Sequence, residues 1–145
     1  MGAVKLTCLD CGQANRVPAE KLQAAPKCAV CGTRLMNDKP KEISLDILRK
    51  AERTDDLLLV VDFWAAWCGP CRAMAPEFAR AAREMHGMAR FAKLDTEAYR
   101  AAGQRYQIRG IPLLIAFKSG KERARQAGAM PAAGILSWAG PLTTG

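Results

Sequence analysis

The chain has no apolar run long enough to cross a membrane. Its longest, over residues 57–68, is broken by Asp62 and falls well short of the ~20 residues that a spanning helix needs. The first lysine is followed by neither an apolar stretch nor a small-residue cleavage site. No secretory signal is therefore expected, and a cytoplasmic location is. Histidine is nearly absent: His86 is the only one. It precedes Gly87, where a helix is expected to end, and reads as a solvated terminal residue, not a catalyst or ligand. Low-complexity tracts are missing, as is any internal repeat beyond the cysteine pairs. Acidic residues are in deficit, 14 against 22 Lys and Arg, for a net charge of +8. No run of bases interleaves with aromatics, which make up 6% of the chain. This argues against a dedicated nucleic-acid surface and leaves only non-specific attraction to acidic partners.

What is present is a composition of 50% hydrophobic and 25% charged residues over 145 positions. That suits a soluble globular protein of one modest domain, or a domain of about 100 residues with a small appendage. All six cysteines fall in three Cys-x-x-Cys pairs. Two of them lie in a polar, turn-rich leader, residues 1–36. A proline-containing polar stretch, residues 37–41, reads as a linker, and the third pair lies in the remainder, residues 42–145.

Beyond the linker the periodicity alternates. Ser44 is expected to cap a helix over about 45–53. Residues 57–65 read as a strand covered on both faces. A helix is expected over 71–86, interrupted by Pro76, and a strand over 89–94. Asp95 and Thr96 are candidate caps of a helix reaching about Tyr106. Residues 112–117 and 122–127 flank the turn Ser119-Gly120 as an antiparallel hairpin, and a short helix over 132–138 closes at Gly140-Pro141. In the leader, residues 4–7 alternate as a short strand, and 19–25 have room for one or two helical turns between Pro18 and Pro26. The order implies an α/β sandwich with a mixed central sheet.

The pair Cys68-Gly69-Pro70-Cys71 follows a strand and opens a helix, at the sheet edge where open α/β folds keep their chemistry. A helix N-terminus stabilises a thiolate at Cys68, and the thiolate is the attacking species in disulfide exchange. Cys71, one turn further in, is expected to be more buried and to resolve the mixed disulfide. Pro70 stiffens the loop, and Gly69 leaves the Cys68 sulfur open. Asp62 is a lone carboxylate within an apolar strand, which is costly without a partner or a task. Plainer alternatives stand beside these readings: a third metal half-site at Cys68 and Cys71, a merely satisfied buried polar group at Asp62, a core role for Trp64, and an ordinary turn proline at Pro112.

Cys8-x-x-Cys11 and Cys28-x-x-Cys31, with sixteen residues between them, match the spacing of a four-cysteine zinc site. Four thiolates close a tetrahedron and leave no position for water, so the role would be structural. Gly12 and Gly32 each follow a pair and permit a positive φ. Lys5, Arg16, Lys27 and Arg34 would offset the excess negative charge. A leader this short is expected to draw its folding energy from metal binding. Two disulfides, or idle thiols, remain the alternatives.

Several segments together resemble thioredoxin: Asp62-Phe63-Trp64-Ala65, Trp67-Cys68-Gly69-Pro70-Cys71, Pro76, and Arg109-Gly110-Ile111-Pro112, with Phe117-Lys118-Ser119-Gly120 and Gly128-Ala129 after them. The match spans about residues 42–139. The leader narrows it to the zinc-containing second class of bacterial thioredoxins. The resemblance implies a thioredoxin fold with a small N-terminal four-cysteine, zinc-ribbon-like module. It makes Cys68 the nucleophile, Cys71 the resolving thiol, Asp62 the proton acceptor beneath them and Lys93 the partner of Asp62. Trp64 and Trp67 would cover the site. Pro112 matches a cis-proline facing the dithiol, Ile111 would pair with an extended substrate, and Gly110 and Gly128 would leave it room. The resemblance further implies a monomer that reduces protein disulfides, recharged by thioredoxin reductase with NADPH as the distant electron source. It implies one structural Zn²⁺ and no bound organic cofactor. Leu113 departs from the family, which usually has Thr there, and is expected to make the groove more apolar. An alternative from another class is a zinc-regulated, redox-sensitive binding module or holdase.

Overall fold

The computed structural model describes residues 2–144; Met1 and Gly145, the outer limits of the two expected units, lie outside the described residues. The chain begins with a two-stranded antiparallel ribbon, β1 (Ala3–Thr7) and β2 (Ala14–Pro18), in which Lys5 faces Arg16. A 3-10 turn at Ala19–Lys21 follows. The body is a five-stranded sheet built from β3 (Lys41–Glu42), β4 (Leu58–Trp64), β5 (Ala89–Asp95), β6 (Leu113–Lys118) and β7 (Lys121–Ala127). Its spatial order is β3-β5-β4-β6-β7; β3, β4 and β5 run parallel, β6 runs antiparallel to β4, and β7 antiparallel to β6. Lys41, read from the sequence as the last linker residue, thus opens an edge strand opposite Ala92.

Four helices, α1 (Leu45–Thr54), α2 (Gly69–Glu84), α3 (Ala101–Arg105) and α4 (Ala132–Ala139), cover the sheet. Alternate residues of β4 feed two cores. Leu59, Val61 and Phe63 pack with Leu48 and Ala51 of α1 and with Tyr106 after α3. Leu58 and Val60 pack with Met74, Phe78 and Ala81 of α2 and with Ile135 of α4. The strand is therefore apolar at nearly every position, as a doubly covered strand must be. Asp62 falls by the same alternation on the α2 face.

The ends of these helices follow local chemistry. Ser44 caps α1, its hydroxyl accepting from the Ile47 N–H at 3.1 Å. The second helix begins at Gly69, two residues earlier than the sequence suggested, and runs through Pro76 as one element. Proline removes one internal hydrogen bond there, and packing of Met74 and Phe78 on the sheet holds the helix together across the gap. The third helix is shorter than expected because Asp95 closes a turn instead: its Oδ1 accepts from the N–H groups of Glu97 and Ala98 at 2.9 and 3.3 Å. After α4 the chain continues as a 3-10 turn over Gly140–Thr143.

The ribbon is not a loosely tethered leader. Leu6, Val17, Leu22, Leu35 and Met36 form a small core of their own around Cys8 and Cys28, against which Leu57 packs from the body. Leu9 joins the main core. The junction is polar at its centre. Arg90 of β5, 3% exposed, forms a close ion pair with buried Asp55 and donates to the carbonyls of Thr7 at 2.9 Å and Leu35 at 3.1 Å. Asp55 also accepts from the Thr7 N–H at 2.8 Å. Burial pushes the Asp55 carboxyl up, and Arg90 with the Thr7 N–H pulls it back. Removing one partner strands the other without water. Arg90→Met is expected to cost about 3–5 kcal/mol in urea unfolding, and Arg90→Met with Asp55→Leu to recover only part of it, because the Thr7 N–H and the Thr7 and Leu35 carbonyls still lose their partners.

Candidate active site and metal centre

The end of β4 delivers Trp64 and then a short turn in which the Cys68 N–H donates to the Ala65 carbonyl at 3.1 Å. Cys68 is the N-cap of α2: its sulfur accepts from the Cys71 N–H at 3.2 Å, and Arg72 N–H donates to its carbonyl at 3.1 Å. The two sulfurs are joined as a disulfide. Cys68 and Cys71 are 4% and 2% exposed, so the expected difference in burial is slight in this oxidised form. Gly69 and Pro70 form the first turn of the helix. Trp67 beside them is 67% exposed.

Opposite the disulfide lies the bend before β6. The Ile111–Pro112 peptide is cis, and the Ile111 carbonyl is 3.7 Å from the Cys68 sulfur. The Pro112 carbonyl is held by the Gly128 N–H at 3.0 Å. Gly128 has φ +93°, which a side chain would strain, and a Cβ at Gly110 would meet nothing within 4 Å. A groove of about 560 Å³ runs between Trp67, Ile108 and Ile111, with Arg109 and Gly110 on its rim. A second, of about 590 Å³, lies beyond Arg109 toward Leu113 and Ala127. Leu113 lines this second groove but is only 5% exposed and belongs to the core, so it adds little apolar surface to the groove.

Asp62 is fully buried and neither carboxylate oxygen has a hydrogen-bond partner. Burial pushes its pKa up to about 7; Lys93 pulls against this and Glu42 adds to it. Lys93 stands opposite Asp62 in register. The ion pair that Lys93 makes, however, is with Glu42 at 3.9 Å, and its ammonium lies 4.4 Å over the Trp64 ring. The expected Asp62–Lys93 partnership is thus one of field and not of contact. Glu42 was missed in the sequence because a two-residue strand leaves no periodicity to read.

The other four cysteines converge from two loops of the same design. Cys8 N–H donates to Gln13 O, and Cys28 N–H to Thr33 O, both at 2.8 Å. Gly12 and Gly32 close each turn with φ +84° and +79°. The four sulfurs lie within 4.8 Å of one another, with Cys8–Cys31 at 3.6 Å and Cys11–Cys28 at 3.7 Å, and none is disulfide-bonded. Four thiolates about 2.3 Å from one ion sit about 3.8 Å apart, so the set fits a tetrahedral metal. Main-chain N–H groups of Cys11 and Val30 and the Asn15 amide point at the sulfurs, as ligands around a metal require. Lys5 with Arg16, and Lys27 with Arg34, flank the two loops in pairs. His86 lies elsewhere, 3.2 Å from Asp38.

The family model described as Thioredoxin matches residues 46–140. The chain belongs to the thioredoxin family. A second, zinc-ribbon model described as Thioredoxin 2, N-terminal, matches residues 7–33. Thioredoxin C-3 of Corynebacterium nephridii is 37% identical over 133 residues, covering 92% of this chain and 91% of its own length. Thioredoxin 1 of Chlorobaculum tepidum is 40% identical over 79 residues, 54% of this chain and 78% of that protein. Among solved structures, chloroplastic thioredoxin z superposes with a TM-score of 0.68 at 32% identity, over 74% of this chain and 96% of its own. As a member of this family, the chain is a thiol–disulfide oxidoreductase that reduces protein disulfides.

The state of Asp62 is measurable through stability. Its folded pKa of about 7 lies above the ordinary 3.8, so the oxidised protein binds a proton that the unfolded chain has released. Stability should therefore fall as pH rises from about 4 to 7. Oxidised Asp62→Asn is expected to be more stable than wild type above pH 7, by up to about 4 kcal/mol, with the gap closing below pH 4 in urea titrations.

Proposed function

We propose that Cys68 is the attacking thiol and Cys71 the resolving thiol of this reductase. The Cys68 thiolate bonds to one sulfur of a substrate disulfide and expels the other as a thiolate. Cys71, its proton passing to Asp62, then displaces the substrate from Cys68. The products are the Cys68–Cys71 disulfide and a substrate dithiol, two electrons having left the protein. Helix N–H groups at the start of α2 stabilise the first thiolate. The substrate chain would lie along Ile111 and Pro112, over Gly110 and Gly128 and beside Trp67. The observation that carries this reading is the disulfide at the cap of α2, 3.7 Å from the Ile111 carbonyl.

Recharging by an NADPH-linked thioredoxin reductase, a cytoplasmic location and a monomeric state belong to the same proposal. So does the division into a zinc module (residues 1–36), a linker shortened to 37–40 by the pairing of Lys41, and a thioredoxin unit that begins with β3. Cys8, Cys11, Cys28 and Cys31 would hold one Zn²⁺ in a closed structural site, with no organic cofactor elsewhere. The expected outcome in a reductase-coupled NADPH assay is full insulin reduction by wild type and none by Cys68→Ser. Cys71→Ser is expected to accumulate mixed disulfides visible on non-reducing gels. Full turnover by Cys68→Ser would overturn the assignment.

A second reading is favoured by the burial pattern of the ribbon. Cys11 and Cys31 are exposed to oxidants, while Cys8 and Cys28 sit in the apolar cluster with Leu6, Leu22 and Leu35. Oxidation would release the ion and open that cluster, giving a holdase. Peroxide-treated Cys68→Ser is then expected to suppress aggregation of a heated client; an unchanged light-scattering trace would dismiss this reading.

A further inference from the structure

The Asp62 carboxyl is one member of a row that crosses three strands. Glu42 of β3 pairs with Lys93 of β5, and Lys93 pairs with Asp62 of β4. Partners in register share a face, so the order across the sheet is acid, base, acid. The row also runs inward from solvent. The Glu42 side chain is 57% exposed, that of Lys93 is 19% exposed, and Asp62 is fully buried. One ammonium serves two carboxylates, and it stands 3.9 Å from Glu42 while Asp62 has no partner in contact. Trp64 fixes the ammonium further: the ring lies 4.4 Å from it. The buried Trp64 N–H has no acceptor in good geometry but lies near enough to Glu42 to favour its ionised form.

We propose that Glu42 is a positioning residue for the dithiol chemistry: it holds Lys93 toward the solvent end of the row and so keeps Asp62 from closing into an ion pair. This rests on the reading that Asp62 receives the proton of Cys71. An Asp62 locked to Lys93 would be a weak base, while one left bare in an apolar site readily takes a proton. The other charged or titratable groups near this face are few. Asp95 of β5 adds negative charge beside Glu42. The second helix brings Cys68 and Cys71 at its start and carries Arg72, Glu77, Arg80, Arg83 and Glu84; Arg72 donates to the Ala66 carbonyl, Glu77 is engaged by Arg80 and the Ala132 N–H, and α4 carries no titratable side chain. Lys93 is thus the cation whose placement matters, and Glu42 is the group in contact with it.

The test compares wild type, E42Q, E42D and the double variant E42Q with D62N. Two readouts are needed: the Asp62 carboxyl titration by carbon NMR in the oxidised protein, and the pH dependence of single-turnover insulin reduction. E42Q is expected to move the Asp62 midpoint down by about half a pH unit, a threefold loss of proton affinity, with a melting temperature unchanged below pH 4, where Asp62 is protonated folded and unfolded alike. The single-turnover profile should move the same way, E42D should restore at least half of the shift, and E42Q should move nothing when Asp62 is Asn. An Asp62 midpoint that stays put or rises in E42Q overturns the proposal, as does a profile shift that survives D62N. Failure of the underlying reading looks different: wild type would then fail to reduce insulin, or D62N would reduce it with a wild-type pH profile.

Discussion

The structure depends on β4 being sealed from water on both faces. A strand with a helical layer above and below must be apolar at consecutive positions, and Leu58 to Phe63 obeys this except at Asp62. That exception sets the electrostatics of the site. A carboxylate there is denied water by α2, denied a hydrogen bond by its neighbours and reached by cations only through Lys93. Its proton affinity is therefore high enough to change within the range where thiols also exchange protons. The turn after β4 leads straight into α2, so the disulfide at the cap of α2 follows the strand that carries the acid by four residues.

Three identical spacings take two backbone routes, and one position decides which. In each Cys-x-x-Cys the first residue's carbonyl accepts from the N–H four residues on: Gly12 for Cys8, Gly32 for Cys28 and Arg72 for Cys68. The first helical turn is thus common to all three. At Gly12 and Gly32 the chain swings to positive φ, and the Cys N–H then closes onto residue 13 or 33. The turn ends as a loop whose N–H groups face two sulfurs. At Arg72 the helix continues, over 16 residues in all, and its first-turn N–H groups and dipole act on one sulfur. Loops of the first kind suit a clamp for a cation, and a cap of the second kind suits a thiolate that must leave again.

Much of this was legible because it rests on local signals. The glycines after the leader pairs, Ser44 before α1 and the unbroken apolar run of β4 each carry their meaning in sequence. What escaped was held by distant partners. Arg90 reads as one exposed position in an alternating strand, yet it is buried under the ribbon by contacts with Asp55, Thr7 and Leu35. Strand β2 is polar enough to pass for a turn, and it forms because β1 offers it an edge. Pro76 signals a break that tertiary packing overrides. In each case the deciding energy comes from a partner on another element, from 7 to 15 positions away for β2 to 83 for Arg90 and Thr7, which the element's own pattern does not show.

The edge strand β3 illustrates why such distant terms bear on chemistry. With only Lys41 and Glu42 paired, it adds little to the stability of the sheet. Its effect is positional. Lys41 forms an ion pair with Asp10 in the first metal-type loop, and the next residue, Glu42, meets Lys93. Two adjacent side chains thus face different parts of the molecule, Lys41 the loop of the first leader pair through Asp10 and Glu42 the row that ends at Asp62. A strand of two residues is sufficient for this because register, once fixed by Ile43 N–H on the Lys93 carbonyl at 2.9 Å, leaves the Glu42 side chain no other row to join. Sequence drift at this edge is cheap in stability and, through Lys93, direct in its action on the buried acid.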